Sequence, residues 1–368
     1  MLVPNLRFNQ FNNSYTSKKL SDIAKIVMGQ SPDSKNYTFN TNATLLIQGN
    51  ADLANGKIKP RIYTSSITKM CAVNDIIMTV RAPVGDLAIS QYDACIGRGV
   101  CLIRGTKYLY YYLESFKQRG GWKKISKGST IDSITSDDLK NININLPNNI
   151  EQSKISNFLT LLDKKIELQK RKIGALKIYK KGLLQNLKSN SKDWKEFRIK
   201  DLFNITRGQV IPKNSLRDLL DKEYKYPVYS SQTSNYGILG YDKTYDFDGQ
   251  YLTWTTDGAN AGKVFYRNGK FRCTNVCGLL YSSQNVAYIN LLTADLLNYE
   301  TPKYVSYVGN PKLMNNVMSN IKIKLPSLKI QSKISNIFII FNKKIYIENQ
   351  KLEKLNNLKK SLLQQMFI

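Results

Sequence analysis

The chain has 368 residues, 42% of them hydrophobic, with 55 Lys and Arg against 27 Asp and Glu, a formal net charge of +28 and no histidine. The length predicts two domains or more, and the positive excess points to a polyanionic partner, nucleic acid or an anionic membrane surface, with A+T-rich coding bias adding to it. Without histidine, Ser-His-Asp and Cys-His catalysis, HExxH zinc sites and histidine-based nucleases are excluded.

The N-terminal stretch MLVPNLRFNQFNNSYTSKKL has no apolar h-region, and no apolar run reaches the ~18–20 residues of a membrane span, so a cytoplasmic protein is expected. Five cysteines, an odd number, fit a reducing compartment. Cys273 and Cys277 read as strand residues, because zinc needs about four ligands and no second pair follows.

A domain opens at LSDIAKIVMGQ, from Leu20. Short β-rich runs follow, IIMTV and GVCLI among them, with turn signals between, and a helix is expected at TKYLYYYLESFKQ. Leu146-Pro147 then begins a long helical pattern. Ile155, Leu159, Leu162, Ile166, Ile173, Leu176, Leu183 and Leu187 step by threes, fours or seven, the spacing of a heptad seam. About forty residues of helix span ~60 Å.

The chain then repeats itself. Ile199 opens IKDLFNITRGQ, 179 residues after Leu20, and Leu325 opens a second Leu-Pro helix, 179 residues after Leu146. Asp22 matches Asp201, and Gly29-Gln30 matches Gly208-Gln209. The second seam uses Ile334, Phe338, Phe341, Ile345, Leu352, Leu355, Leu362 and Met366. Between these anchors the halves diverge, leaving faint echoes such as DIIMTVRAPVGDLAI against GQYLTWTTDGANAGKVFY. The runs GQYLTW and KVFY read as strands, and a second short helix is expected within NVAYINLLTADLLNY.

The predicted fold class is therefore α/β: two mixed α/β domains, at 1–147 and 194–326, separated by two long antiparallel coiled-coil helices, at 148–190 and 327–368, with a pseudo-two-fold internal repeat. Each seam has two polar gaps, Gln169 and Lys180 in the first, Glu348 and Lys359 in the second. An antiparallel register that sets Ile173 against Leu355 and Leu176 against Leu352 places Lys180 opposite Glu348 and Gln169 opposite Lys359. The expectation is that these polar positions fix the register.

No catalytic constellation is found. DGANAGKV, from Asp257, lacks the spacing and the Ser/Thr of a phosphate loop, so a β-turn near DNA is the better reading. Glu223-Tyr224-Lys225 has E-x-K spacing without the further carboxylates that a nuclease metal needs. No NPP[FY]- or DPP[FY]-like methyltransferase motif and no GxGxxG fingerprint is present. Basic and amide side chains beside glycines and aromatics instead suit DNA, where Arg pairs with guanine, Asn and Gln with adenine, and Lys, Ser and Thr hold phosphates. The candidates are Gln48, Asn50, Arg81, Arg98, Lys127, Ser129 and Thr130 in the first domain. In the second they are Ser231, Gln232, Thr255, Thr256, Asn260, Lys263, Arg272, Asn310 and Lys312.

The doubled order, the LSDIAKIVMGQ-type opening, GSTIDSI leading into INLP, and the LPxxxxQSKIS…LLQ helix in both copies resemble the specificity subunit of Type I restriction–modification systems over nearly the whole length. The resemblance implies two target recognition domains, each reading one half of a bipartite double-stranded DNA site, with the helices setting the gap. It implies two modification subunits that carry S-adenosylmethionine and usually methylate adenine, and two restriction subunits with ATP/Mg-dependent motor and nuclease activity. It implies no cofactor, metal or catalysis on this chain. The second copy has GNPKLMNNV where the first has GSTI, which leaves that loop's role in the second domain open. A stand-alone nuclease or methyltransferase with unrecognised motifs, and a scaffold that binds modification subunits without DNA, are the competing classes.

Overall fold

The computed structural model describes residues 3–125, 133–282 and 285–368. The chain divides into two compact units, one formed by 1–170 and 350–368, the other by 171–349. The division falls within the two long helices, Asn149–Ser189 and Leu328–Gln365, so each unit holds part of both.

In the first unit, strand Thr16–Lys19 pairs antiparallel with Asn143–Leu146 and closes the domain immediately before the long helix. A six-stranded sheet runs in the order Lys25–Met28, Val100–Arg104, Ile76–Thr79, Leu87–Ile89, Lys57–Ile58, Leu53–Ala54. A five-stranded sheet runs Tyr37–Thr38, Ile62–Thr64, Thr44–Ile47, Ala94–Ile96, Met70–Cys71. Asn55 and Gly56, at φ 51° and 73°, make the two-residue turn that joins the last two strands of the larger sheet, a conformation that favours Asn-Gly. The expected helix forms at Lys107–Gln118, and its buried tyrosines pack on the core with Leu20, Ile155, Leu159 and Phe367.

The second unit repeats this plan. Lys195–Arg198 pairs with Lys322–Leu325, and a four-stranded sheet runs Asn204–Arg207, Cys277–Tyr281, Gln250–Thr255, Val264–Asn268. A three-stranded sheet runs Ile238–Asp242, Tyr226–Tyr229, Arg272–Cys273. Cys273 and Cys277 are buried strand residues. The second short helix, Leu291–Glu300, packs with Ile199, Ile334 and Phe338, the counterparts of Leu20, Ile155 and Leu159 at the 179-residue offset.

The repeated Leu-Pro…Gln signature has a specific cause. Gln152 donates through Nε2 to the Pro147 carbonyl at 2.9 Å and accepts from the Thr106 hydroxyl at 3.3 Å. Gln331 donates to the Pro326 carbonyl at 2.9 Å and accepts from Asn290 Nδ2 at 2.9 Å. Thr106 and Asn290 are the residues that precede the short helices, so each glutamine ties the start of a long helix to its domain. Both glutamines are buried, and truncation would strand buried polar partners. Gln152→Ala and Gln331→Ala are each expected to lower stability by about 1–3 kcal/mol, measured by urea unfolding.

The polar gaps do not pair with one another as expected. Lys180 donates to Asn342 Oδ1 at 3.0 Å and forms an ion pair with Asp295 at 2.6 Å, while Glu348 accepts from Lys172 at 2.9 Å. Lys359 sits between Glu114 and Asp163, 2.8 Å from each, so the proposed Gln169–Lys359 pair is replaced as well. The helix segments do run antiparallel in the second unit, where Tyr179 also meets Phe341, but the register lies about two turns from the expected one. The reason is that Asp295 and Glu114 come from the domains. Lys180 and Lys359, equivalent by the repeat, bind their long helix to a domain carboxylate as well as to the facing helix, a constraint invisible to heptad spacing.

Candidate nucleic-acid interface

Several strand ends of the first unit converge. Strands Thr44–Ile47 and Ala94–Ile96 run parallel, and the Gly97 N–H donates to the Ile47 carbonyl at 2.8 Å just beyond them. The Gly29 N–H donates to the Val100 carbonyl at 2.9 Å and the Gln30 N–H to the Ile96 carbonyl at 2.8 Å. The Val80 N–H donates to the Gly99 carbonyl at 3.0 Å, and the Arg98 N–H to Ser31 Oγ at 3.1 Å. These bonds gather Gln30, Ser31, Gln48, Arg81 and Arg98, with Asn50 following Gln48 in the same loop. The glycines permit the approach: a Cβ at Gly99 would lie 2.1 Å from the Gln48 carbonyl oxygen, and one at Gly29 2.2 Å from that of Gly97. Buried Asp52 accepts from the N–H groups of Gln48 and Gly49, which fixes the Asn50 loop.

Two guanidinium groups stand out here. Arg7, Arg61 and Arg104 are held by Glu151, Asp52 and Asp75, and Arg119 lies over the Tyr112 ring. Arg81 and Arg98 are exposed, and among the described residues neither has a carboxylate or ring partner.

The second unit builds the same backbone frame. The Thr274 N–H donates to the Tyr229 carbonyl at 2.8 Å, Gly208 N–H to Cys277 at 3.1 Å, Gln209 N–H to Cys273 at 3.0 Å, and Thr256 N–H to Val276 at 3.2 Å. Ile134 N–H donates to the Val80 carbonyl at 2.9 Å, and Leu313 N–H to that of Thr256 at 2.8 Å. Arg81 bridges Ser133 as Asp257 bridges Lys312. A Cβ at Gly208 would meet the Cys273 carbonyl oxygen at 2.1 Å, the constraint already met at Gly29. The frame therefore equates Gln30 with Gln209, Gln48 with Ser230, Arg81 with Asp257, Arg98 with Asn275, and Ser133 with Lys312.

The structure sorts the sequence candidates. The loops that carry Gln48, Asn50, Arg81 and Arg98 are joined by backbone bonds into one group of strand ends; Ser231 and Gln232 occupy the counterpart of the Gly49-Asn50 loop. Asn260, Lys263, Asn310 and Lys312 are exposed. Lys127, Ser129 and Thr130 lie outside the described residues.

Three candidates are committed elsewhere. Thr255 is buried, its hydroxyl donating to the Asn260 carbonyl and accepting from Lys263 N–H at 3.0 Å. Thr79 does the same in the first unit, donating to the Pro83 carbonyl and accepting from Asp86 N–H, so Thr255 braces the hairpin instead of facing DNA. Thr256 is 3% exposed, its backbone used by Val276 and Leu313. Arg272 is gripped by Asp242 at 2.8 Å and Asp246 at 3.0 Å. Burial pushes the Asp242 carboxyl up, but hydrogen bonds from Arg272 and the Lys243 and Thr244 N–H groups outweigh it and hold the carboxyl below its ordinary range. Elsewhere, the Asp257–Val264 stretch is a hairpin turn with Gly258 and Gly262 at positive φ, and Glu223 pairs with Lys243.

Sequence reading passed over Gln30, Gln209, Ser31, Asp257 and Asn275 as contacts. The repeated Gly-Gln was a usable signal for the first two. Asp257 and Asn275 are defined by backbone pairing alone, and Ser31 by its hydroxyl's bond from Arg98 N–H.

A family model described as the Type I restriction modification DNA specificity domain matches residues 12–177 and again 191–357. The chain belongs to this family. Among its relatives is the N-terminal part of a type I specificity subunit of Mycoplasma pneumoniae, 45% identical over 148 residues, 40% of this chain and 77% of the relative. A second specificity subunit of that organism is 36% identical over 228 residues, 60% of this chain and 83% of the relative. The crystal structure of a Type I restriction–modification S subunit from M. genitalium shares the fold, with a TM-score of 0.67 at 18% identity, covering 100% of this chain and 99% of the other. A chain from a study of type I complex assembly and conformational transition matches with a TM-score of 0.54 at 17% identity, over 97% and 98%. The specificity subunit thus has two family domains, one in each copy of the internal repeat. Among the described residues no helix is long and apolar enough to cross a membrane.

Proposed function

We propose that this specificity subunit reads a bipartite double-stranded DNA site, one half with each recognition domain, and performs no catalysis itself. One observation carries the reading: the same strand-end frame is built twice, and the side chains it displays differ between copies. A repeated frame with altered contacts is what two related readers of different half-sites require. In this reading the long helices set the gap and dock two modification subunits; restriction subunits join that core, and S-adenosylmethionine, ATP and Mg are bound by the partners. The assembly works in the cytoplasm, where its DNA is.

The helices support a partner present in two copies. Phe158, Leu161 and Leu168 are 39%, 65% and 63% exposed, on a helical face distinct from the buried seam. Ile337, Ile340 and Ile347, their equivalents at the 179-residue offset, are 45%, 67% and 40% exposed. The same apolar stripe thus occurs once in each repeat, as two identical docking subunits would need.

Co-expression with the modification subunit, followed by direct sequencing of methylated bases, tests the reading. The complex is expected to methylate a two-part motif, and the purified chain alone to show no methylation, cleavage or nucleotide hydrolysis. Robust activity from the chain alone, or a methylated motif without a gap, would overturn it.

A further inference from the structure

We propose that Arg81 and Asp257 are counterpart base-reading residues, Arg81 selecting guanine in one half-site and Asp257 selecting cytosine at the equivalent place in the other. The inference rests on the two-reader function proposed above and names how the halves come to differ.

Both residues follow the third strand of their sheet frame. Each comes directly after a residue whose N–H donates across to the neighbouring loop, Val80 to Gly99 and Thr256 to Val276, and whose carbonyl accepts from Ile134 or Leu313. Each is bridged to the residue before that donor, Ser133 or Lys312. Six matched backbone contacts set the two positions equal, so the side chains, not the frames, make the difference.

The chemistry of each side chain then limits its role. Arg81 is exposed, and among the described residues no carboxylate or ring holds its guanidinium, a planar fork of donors. That fork matches the O6 and N7 acceptors of guanine in the major groove. Asp257 is half-buried and also has no described side-chain partner. A carboxylate on a surface that approaches phosphates is repelled by the DNA backbone, a cost that the neighbouring Lys312 lowers and that a base-edge donor turns into a contact. The major-groove pairing for Asp is the N4 amino group of cytosine. Opposite charges at one position of one frame therefore read opposite members of a G·C pair.

The test uses the complex of the full chain with its modification subunit. Methylated motifs are mapped for the wild type, Arg81→Ala, Arg81→Lys, Asp257→Asn and Asp257→Ala. Arg81→Lys keeps the charge and replaces the planar fork with a single ammonium, so a contact that needs the fork weakens while phosphate attraction stays. The expected result is that Arg81→Ala relaxes one guanine in one half by roughly 10-fold or more and Arg81→Lys relaxes the same guanine by less, with the other half and the gap unchanged. The Asp257 variants relax or change one base in the other half alone. Methylation that still requires the unaltered half shows that the variants fold. Three outcomes overturn the inference: an unchanged motif, changes in both halves from one substitution, or a uniform loss of methylation with the motif intact. If the wild type reads a two-part motif and these variants leave it unchanged, this inference alone fails; if the wild type reads no two-part motif, the underlying function fails with it.

Discussion

Exchanging residues 1–147 for the corresponding domain of a related specificity subunit should replace the bases of one half-site and leave the other half and the gap intact. The expectation follows from where the domain is anchored. Strand Asn143–Leu146 closes the domain against Thr16–Lys19, and Gln152 ties the following helix to it through Thr106 and Pro147. A donor domain that keeps the Leu-Pro…Gln junction brings its own strand ends into the same frame. Each discriminating base contact contributes about 1–3 kcal/mol, so a half-site of several bases should switch by orders of magnitude in methylation rate. Sequencing of methylated bases reads the result. A change on both sides of the gap would replace two readers with a single composite surface.

DNA binding by the specificity subunit or its complex should weaken steeply with salt. The chain carries 55 basic residues and 27 acidic ones, so internal ion pairs can neutralise at most half of the cations. Those facing phosphates release condensed counterions on binding. A footprint of about 6–10 phosphates loses roughly three to five orders of magnitude in affinity between 50 and 200 mM salt. Titration of labelled duplex at several salt concentrations gives the slope. A flat response would mean that the net charge of +28 is incidental to DNA.

The long helices, their start at Leu-Pro and the doubled domain order were all legible, because heptad spacing and repetition are local patterns. The echo between the stretches from Asp75 and Gly249 was also real: both are hairpins, at Ile76–Thr79 with Leu87–Ile89 and at Gln250–Thr255 with Val264–Asn268. The interface was legible only in part. Arg81 and Arg98 could be chosen by residue type, but Asp257 and Asn275 are their counterparts through backbone bonds between distant segments. Thr255 and Arg272 looked equally suitable until the structure showed their polar groups already used.

By itself the sequence determined that this protein is a duplicated, strongly basic chain of two domains and two long helices without histidine chemistry. Those properties depend on composition, periodicity and internal offset, which need no third dimension. Tertiary structure decided the helix register and the alignment of the two candidate surfaces. Lys180 and Lys359 answer to Asp295 and Glu114 across the fold, and no seam pattern contains that information. The pairing of Arg81 with Asp257 as equivalent positions likewise exists only once strands remote in sequence are hydrogen-bonded side by side.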